Sequence, residues 1–398
     1  MSAISPIGVC IVTGSRADYG LMRWVIRDLT EDPSFRVGLV VTGSHLSARH
    51  GHTVDEIVAD GNDIALRIPV DLARDEPMTL ARAMAGIIPA LAQHLEKRHP
   101  ELVLILGDRW ELLAVANACI LTGTPIGHFS GGELTEGALD DSVRHAVTKL
   151  SHLHFVANDV YAQRVRQLGE EDWRICVCGG PGIENFQRLE LLGRPALSTY
   201  LGLDLDKPTA VVTYHPPTRS SEAAEPQLES LLAALRAGCE RFGLQYVVTG
   251  PNADPGSRSI EEALRGFVET SSGHVYVSNL GARIYLSLLK QARLMIGNSS
   301  SAFNEAPMAG LVCVDIGDRQ SGRISGGNVI SVGATRDEIL SGIERGLLFD
   351  RQIKFKSPYG QGGASALARA FLKKVFVQQG ADRILRKRFV DHRPCTPA

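Results

Sequence analysis

The stretch GVCIVTGSRADYG, residues 8–20, decides the fold class. Residues 9–13 are all apolar or β-branched, which is typical of a strand buried on both faces of a parallel sheet. Gly14 ends this run, and Arg16 stands where a helix should begin. The order strand, glycine turn, helix predicts the start of a doubly wound α/β fold. An arginine at a helix start also predicts a bound anion, with a surface salt bridge as the alternative.

The same alternation continues along the chain in two series. The first series includes RVGLVVTG, ELVLILGD, LHFVA and RICVCGG, and the second includes TAVVTYH, LQYVVTG, HVYVS, RLMIGNS and LVCVDIG. Segments with the apolar spacing of helices separate these runs, and residues 179–208 contain no convincing strand. The sequence therefore predicts two Rossmann-like doubly wound domains, residues 1–185 and 186–375, around an interdomain cleft, followed by a tail, 376–398.

The composition excludes several classes of protein. The 398 residues include 42 Lys and Arg against 44 Asp and Glu, so a surface that coats nucleic acid is not expected. Seven cysteines spread along the chain do not suggest a disulfide framework. We find neither a signal-peptide pattern nor an apolar run of membrane-spanning length. These features predict a cytoplasmic protein with a small-molecule partner, without nucleic acid or membrane as a partner.

Charged residues follow two strands of the first series. The turn after residues 8–13 lacks the G-x-G-x-x-G and G-x-x-x-x-G-K-[ST] patterns. These are the usual motifs for binding NAD and ATP, so neither is indicated as a ligand. The motif LGDRWE places Asp108 and Arg109 at the carboxyl end of another apolar run. Asp108 has two open interpretations, because aspartate is also a preferred helix N-cap.

The stretch GGELTEGALDDSVRH, residues 131–145, concentrates acidic groups in a glycine-containing loop that leads into a helix. Its charged residues are Glu133, Glu136, Asp140, Asp141, Arg144 and His145. Asp140 and Arg144 are four residues apart and should share one helix face. The position after a strand favours a catalytic role, whereas a merely solvated acidic cluster is the alternative.

The second series carries groups that suit a nucleotide. His215 follows TAVVTY, and Asn252 follows the next strand in TGPN. Hydroxyls at the end of RLMIGNS precede a predicted helix whose N-terminus would attract an anion. Glu305, inside that helix, would repel phosphate but can accept hydrogen bonds from a ribose diol. Carboxylates in the first half and nucleotide-binding groups in the second predict an enzyme that acts on a nucleotide sugar.

The motifs TGSRADYG, LGDRWE, GGE, RHAVTKLSHLHF, GNSSSAFNEAP and GDRQSGR together resemble the UDP-hydrolysing UDP-N-acetylglucosamine 2-epimerase family, over about residues 7–375. The resemblance implies the glycosyltransferase-B type of fold, with a UDP-sugar as substrate. It also implies a homodimer or homotetramer, and a tail, 376–398, that forms a helix crossing back to the first domain.

The resemblance also assigns residues to roles. Those that match the family's UDP site are Arg16, Arg109, His215, Asn252, Ser299, Ser300, Glu305 and Arg319, and those that match its catalytic acids are Asp108, Glu133 and Asp140. We add Arg144 to the substrate-binding set, and His215 to the catalytic set because it would stabilise the leaving UDP. Gly20 departs from the serine of the animal enzyme, which removes one nucleotide contact.

The implied reaction converts UDP-N-acetylglucosamine to N-acetylmannosamine and UDP, through elimination to a 2-acetamidoglucal and rehydration, for sialic acid synthesis. It needs neither a metal ion nor a cofactor. The same chemistry on UDP-N,N'-diacetylbacillosamine, in legionaminic acid synthesis, is an open alternative. A non-hydrolysing epimerase is disfavoured, because its G-Q-H, H-x-E-A-G-x-R and T-x-H-R-x-E-N motifs are not matched. A glycosyltransferase and a catalytically silent UDP-sugar sensor are further alternatives.

Overall fold

The computed structural model describes residues 5–48, 51–72, 76–136, 139–216, 224–251, 256–270, 272–350 and 353–391. The chain forms two compact units. Unit 1 comprises Met1–Glu133, Asp140–Glu184 and Gly362–Ala398, and unit 2 comprises Leu134–Leu139 and Asn185–Gln361.

A parallel sheet forms the centre of unit 1. Its strands in the described ranges are β1 (Ile7–Thr13), β2 (Phe35–Val41), β3 (Ile64–Arg67), β4 (Leu102–Leu106), β5 (Ile126–Phe129), β6 (Leu153–Val156) and β7 (Ile175–Val177). The strands lie in the order β3-β2-β1-β4-β5-β6-β7. Strand β1 pairs along its whole length with β2, from Ile7 opposite Phe35 to Thr13 opposite Val41. This is the doubly wound order that the sequence predicts.

Helices cover both faces of this sheet. They are α1 (Arg16–Thr30), α2 (Val54–Ala59), α3 (Pro77–Arg98), α4 (Glu111–Leu121), α5 (Leu139–Leu150), α6 (Asp159–Gln167) and, from the end of the chain, the helix Ala364–Leu385, which is α15 in chain order. Successive residues of β4 belong to opposite cores: Leu104 packs in one and Val103 and Ile105 in the other. Because both faces are buried, the strand is apolar at every position.

Unit 2 repeats the architecture. Its strands are β8 (Thr209–Thr213), β9 (Gln245–Thr249), β10 (Val275–Val277), β11 (Leu294–Gly297), β12 (Cys313–Ile316) and β13 (Val329–Val332), in the order β10-β9-β8-β11-β12-β13 and parallel throughout. Its helices are α7 (Asn185–Arg188), α8 (Arg194–Leu201), α9 (Ala224–Phe242), α10 (Ser257–Glu269), α11 (Gly281–Gln291), α12 (Ser301–Asn304), α13 (Ala306–Ala309) and α14 (Arg336–Leu348). The prediction of two Rossmann-like doubly wound domains is confirmed.

The strand order places a ligand-binding position in each sheet. In doubly wound sheets, ligands bind at the carboxyl ends of the strands where the order reverses. In unit 1 this position lies between β1 and β4, which are followed by Arg16 and Asp108. In unit 2 it lies between β8 and β11, which are followed by His215 and Ser299.

The end of the chain differs from the predicted domain limits. The prediction assigned residues 362–375 to the second domain, but they belong to unit 1, as do the described residues of the predicted tail. The physical reason is the apolar face of α15. Ala368, Leu372, Val375 and Ile384 are buried in the core of unit 1. No helix in the described part of the chain is both long and apolar enough to span a membrane.

Candidate active site

Arg144 brings the predicted acidic groups of unit 1 together. It lies on α5, and its side chain is 1% exposed. One guanidinium nitrogen contacts the carboxylate of Asp108, and Nη1 donates to the carbonyl of Glu133 at 3.1 Å and to Asp141 Oδ1 at 3.2 Å. A buried guanidinium needs such partners, because desolvation of an unpaired charge is costly. Asp108 and the GGE segment, separate in sequence, thus share one cation.

Asp108 does not occupy the N-cap position of α4. The N-cap position of α4 is occupied by Trp110, whose side chain makes no capping hydrogen bond. Asp108 lies two residues earlier, at the carboxyl end of β4, and its side chain is directed to Arg144. The side chain of Asp108 is one quarter exposed, so the pair is open to solvent on the Asp108 side.

The loop before Glu133 has an unusual backbone. Ser130 adopts φ of 68°, in the left-handed region that few non-glycine residues occupy. Its amide donates to the carbonyl of Phe155 at 3.0 Å, and Arg164 donates to the carbonyl of Gly132 at 3.1 Å. Such backbone conformations concentrate at functional sites. The side chain of Glu133, which follows, is buried.

His128 supports the same loop from β5. Its Nε2 donates to the carbonyl of Gly107 at 2.7 Å, and its Nδ1 lies 3.2 Å from the hydroxyl of Thr148 on α5. Burial lowers the pKa of His128 to about 4, so the ring is neutral at physiological pH. The sequence prediction missed this residue, which links the turn before Asp108 to the helix of Arg144.

Arg109 is held by a neighbouring carboxylate that the prediction did not assign. Its Nε donates to Glu111 Oε1 at 2.7 Å, and Glu111 is buried. Gly14 leaves the space for this carboxylate, because a Cβ at Gly14 would lie 2.3 Å from Glu111 Oε1. Burial raises the pKa of half-buried Asp18 to about 7, against the lowering effect of Arg109. The turns after β1 and β4 are therefore electrostatically linked.

Arg16 begins α1, as predicted. Ser15 caps this helix, and its hydroxyl accepts from the amide of Asp18 at 3.3 Å. The guanidinium of Arg16 forms an ion pair with Glu56 of α2, with Nε 3.1 Å from Oε2. The surface salt bridge named as the alternative is thus present, and contact of Arg16 with a diphosphate stays a prediction.

Helix α5 carries the remaining predicted acid. Asp140 lies in its first turn and is half-buried. Besides its bond to Arg144, Asp141 lies close to His145, with Oδ2 3.3 Å from Nε2 of the ring. The sequence analysis placed Asp140 and Arg144 on one helix face, four residues apart. The ion pair that the structure describes joins Arg144 to Asp141, three residues before it.

In unit 2, a buried amide holds the predicted histidine. The amide of His215 donates to Asn298 Oδ1 at 2.7 Å, and Asn298 Nδ2 donates to the carbonyl of His215 at 2.9 Å. The two residues follow β8 and β11, so this reciprocal pair joins the two strand ends. Burial, with a smaller effect from Arg319, holds the pKa of His215 well below its usual range. The ring is therefore neutral.

The glycine before Asn298 allows this approach. Gly297 has φ of 140°, and a Cβ there would lie 1.8 Å from the carbonyl oxygen of Thr213. Only glycine lets β11 turn so close to β8. Asn298 itself was missed by the prediction, although it stands between this strand-end glycine and the assigned Ser299.

The helix predicted after Ser299 and Ser300 is broken. It consists of two single turns, α12 and α13, on either side of Glu305. Pro307 explains the break, because it has no amide hydrogen to continue the helix. The helix that begins after Ser300 is therefore only one turn long. Ser299 is buried, and its hydroxyl accepts from the amide of Ser301 at 3.3 Å.

Arg319 extends the strand-end group. It follows β12, is buried, and donates through Nη1 to the carbonyl of Asn298 at 3.3 Å. Gln320 donates to the same carbonyl at 2.9 Å. Burial raises the pKa of Glu305 to about 7, and also that of Asp315, on β12, to about 7. Asn298 thus forms hydrogen bonds with the backbone of His215 through its side chain and with Arg319 and Gln320 through its carbonyl.

Two further predictions concern Asn252 and the absence of a metal ion. Asn252 lies outside the described residues. Within the described ranges, no three His, Cys, Asp or Glu side chains are grouped so that they could hold a metal ion.

Comparisons with known proteins identify the family of the chain. A family model described as UDP-N-acetylglucosamine 2-epimerase matches residues 27–373. The chain is 37% identical over 323 residues to the GDP/UDP-N,N'-diacetylbacillosamine 2-epimerase (hydrolyzing) of Campylobacter jejuni, covering 81% of this chain and 83% of that protein. It is 36% identical over 367 residues to the UDP-N,N'-diacetylbacillosamine 2-epimerase (hydrolyzing) of Legionella pneumophila, covering 92% and 96%.

A solved structure supports the fold. The UDP-GlcNAc 2-epimerase of Neisseria meningitidis bound to UDP-GlcNAc superimposes with a TM-score of 0.79 at 17% identity, covering 92% of this chain and 100% of that one. At this identity the likeness concerns the fold alone, and it confirms the predicted glycosyltransferase-B type.

Proposed function

The chain belongs to the UDP-N-acetylglucosamine 2-epimerase family, and from this premise we propose that it hydrolyses a UDP-2-acetamido sugar with inversion at C2. The products are UDP and the free epimerised sugar. The observation that carries the proposal is the grouping of Asp108, the Glu133 segment and Asp141 around buried Arg144. Two carboxylates, of Asp108 and Asp141, contact this fixed positive charge, which supports an acid–base role for Asp108.

The chemistry explains why both acids and cations are needed. The hydrogen at C2 is not adjacent to a carbonyl, so a base cannot remove it directly at a useful rate. If the C1–O bond to UDP lengthens first, positive charge builds at C1 and the C2 hydrogen becomes acidic. Loss of the proton and of UDP gives a 2-acetamidoglucal. Water then adds at C1, and a proton returns to C2 from the opposite face.

We assign the acid–base steps to unit 1. Asp108 and Glu133 are the candidates for the base that removes the C2 proton and for the acid that protonates the other face. Asp140 donates a proton or positions the sugar, and Arg144 stabilises the carboxylate form of Asp108. General acid–base groups of this kind contribute about 10²- to 10⁴-fold each.

We assign stabilisation of the leaving UDP to groups at both sets of strand ends. The proposed diphosphate ligands are Arg16, Arg109, His215, Ser299 and Ser300, and the proposed nucleoside ligands are Asn252, Glu305 and Arg319. Neutral His215 can donate a ring N–H to a phosphate oxygen without the cost of a buried charge. Preorganised donors of this kind contribute a few kcal/mol each to a developing anion.

The sugar is the finer part of the proposal. UDP-N,N'-diacetylbacillosamine is supported by the names of the Campylobacter and Legionella relatives, at 37% and 36% identity. UDP-N-acetylglucosamine, which the sequence analysis placed first, is supported by the name of the family. Either activity would supply a 2-acetamido sugar for a nonulosonic acid. A homodimer or homotetramer in the cytoplasm is part of the same proposal.

The test measures free UDP from each UDP-sugar with the purified chain. Release from at least one sugar is expected, and Asp108→Asn and Glu133→Gln should each reduce kcat by about a hundredfold or more. Asp172→Asn is the control, because Asp172 forms only an exposed ion pair with Arg166. No release from either sugar would contradict the proposal.

The same experiment separates the alternatives. A non-hydrolysing epimerase would give an epimerised UDP-sugar and no free UDP. A glycosyltransferase would release UDP only when an acceptor is added. A sensor would bind UDP equally well in wild type and in Asp108→Asn, and would release none.

A further inference from the structure

The end of the chain contacts the far end of the helix that carries Arg144. Helix α5 ends at Leu150, and Lys387 Nζ donates to the carbonyls of Lys149 at 2.7 Å and Ser151 at 2.6 Å. The last carbonyls of a helix have no partner within the helix. A lysine ammonium there forms the missing hydrogen bonds and interacts favourably with the helix dipole.

A buried carboxylate fixes the ammonium group in this position. Lys387 Nζ lies 2.7 Å from Glu170 Oε1, and Lys149 Nζ lies 2.8 Å from the same oxygen. His154 Nε2 lies 3.1 Å from the second oxygen of Glu170. Burial alone would raise the pKa of Glu170, but hydrogen bonds from His154, Lys149 and Lys387 hold it at about 2. Glu170 therefore stays ionised.

The end of α15 is itself capped by Arg174, the residue that precedes β7. Its guanidinium donates to the carbonyls of Ile384 at 2.7 Å, Arg386 at 3.0 Å and Arg383 at 3.3 Å. Arg174 is fully buried. Arg174 thus fixes the end of α15, and Lys387, which follows that helix, caps α5.

Two further contacts hold the segment after α15. The amide of Val390 donates to the carbonyl of Gly169 at 2.9 Å. The ring of Phe389 lies against Gly169, where a Cβ would come within 2.6 Å of it, and Lys149 Nζ lies 4.9 Å from the ring centre. The segment is therefore bound to unit 1 at several points, although most of it is exposed.

The cap is close to the candidate site along the helix. Arg144 precedes Lys149 by five residues, which is about 7.5 Å of helix rise. A shift or rotation of α5 would move Arg144 relative to Asp108 and to the carbonyl of Glu133, both of which lie outside the helix.

We propose that Lys387 is a positioning residue for the reaction, which fixes α5 through its C-terminal carbonyls so that Arg144 holds Asp108 in its working position. This inference rests on the proposed function. Lys387 touches none of the candidate catalytic groups, so its effect passes through the helix. Misplacement of catalytic groups by about 1 Å costs up to about a hundredfold in rate.

The test compares Lys387→Met with Lys373→Met. Methionine keeps the length of the side chain and removes the ammonium. Lys373 lies on the same helix, α15, and pairs with Asp32 at 2.6 Å, away from α5. Lys387→Met is expected to lower kcat for UDP release by about tenfold or more, with KM changed less than about twofold. Lys373→Met should leave both constants unchanged, and Lys387→Arg, which keeps the charge, should restore most of kcat.

A second readout does not depend on activity. Amide hydrogen exchange of peptides from residues 139–150 should be faster in Lys387→Met than in Lys373→Met or wild type. Equal kcat in the two methionine variants, or unchanged exchange in this helix, would overturn the proposal. If wild type releases no UDP, the proposed function fails, and the exchange comparison alone then decides whether Lys387 fixes α5. If Lys387→Met does not fold, Lys387→Gln takes its place.

Discussion

The two strand-end groups are held together by different means. In unit 1, opposite charges fix the side chains: Arg144 with Asp108, and Arg109 with Glu111. In unit 2, a neutral amide, Asn298, fixes the backbone around a neutral histidine. The first group therefore depends on charge and the second on hydrogen-bond geometry. Substitutions that remove charge or exchange a donor for an acceptor therefore distinguish them.

The largest effect is expected from Arg144→Met. The substitution leaves the Asp108 carboxylate and the Glu133 carbonyl without their buried cation, and breaking such a pair costs about 3–5 kcal/mol. UDP release should fall by about a hundredfold or more, because the Asp108 carboxylate and the backbone at Glu133 lose the group that positions them. Urea unfolding and steady-state kinetics measure the two effects.

The control for this substitution is Arg166→Met, which removes an exposed pair with Asp172. Exposed pairs contribute about 0–1 kcal/mol. A loss of stability in Arg144→Met as small as in this control would show that charge pairing does not fix the first group.

A smaller effect is expected from Asn298→Asp. The aspartate still accepts from the amide of His215 but cannot donate to its carbonyl, and an unsatisfied buried acceptor costs about 1–3 kcal/mol. Because this group is assigned to UDP binding, the Kd for UDP should rise while kcat falls less. Calorimetric titration with UDP checks the prediction.

Asn117→Asp is the matched control, since Asn117 donates from an exposed helix surface to the carbonyl of Leu113. If Asn298→Asp lowers kcat and leaves the Kd for UDP unchanged, this group acts in the chemical steps instead of in UDP binding.

The third prediction concerns the pH dependence of stability that arises from the buried carboxylate of Asp315. Burial raises its pKa to about 7 in the folded chain, whereas the unfolded value is 3.8. The folded state therefore binds more protons than the unfolded state between these values, and stability falls as pH rises through this range, then stays level above about 7. Asp315→Asn removes the titration.

The variant should gain stability relative to wild type as pH rises from about 4 to 8, because only the wild type loses the bound proton of Asp315 over this range. Urea unfolding at pH 5 and at pH 8 gives the difference in free energy of unfolding between Asp315→Asn and wild type at each pH. A difference that is the same at both values would mean that Asp315 does not titrate in this range.

Much of the fold followed from the sequence, and less of the site did. The strands were predictable because a strand buried on both faces, such as β4, is apolar at every position. The limits of the second domain were not, because the apolar spacing of α15 does not say which core it joins. The break at Glu305, between α12 and α13, could have been predicted from Pro307.

The site shows the same division. Asp108, Glu133 and Arg144 were predictable from their positions after strands, but their common contact depends on how α5 packs. Asn298 was missed because its partner is the backbone of another turn, at His215, which is 83 residues away in the sequence. The ring state of His215 depends on burial, which a lone histidine in a sequence does not reveal.

The most direct test of the proposed function is proton NMR of the products formed in deuterated water. The chain is incubated with UDP-N,N'-diacetylbacillosamine and, separately, with UDP-N-acetylglucosamine. The proposal predicts that the sugar released with UDP carries deuterium at C2 and has the inverted configuration there, because its C2 proton is lost and replaced from solvent. A released sugar that keeps both its original C2 hydrogen and its configuration would contradict the proposal and indicate simple hydrolysis.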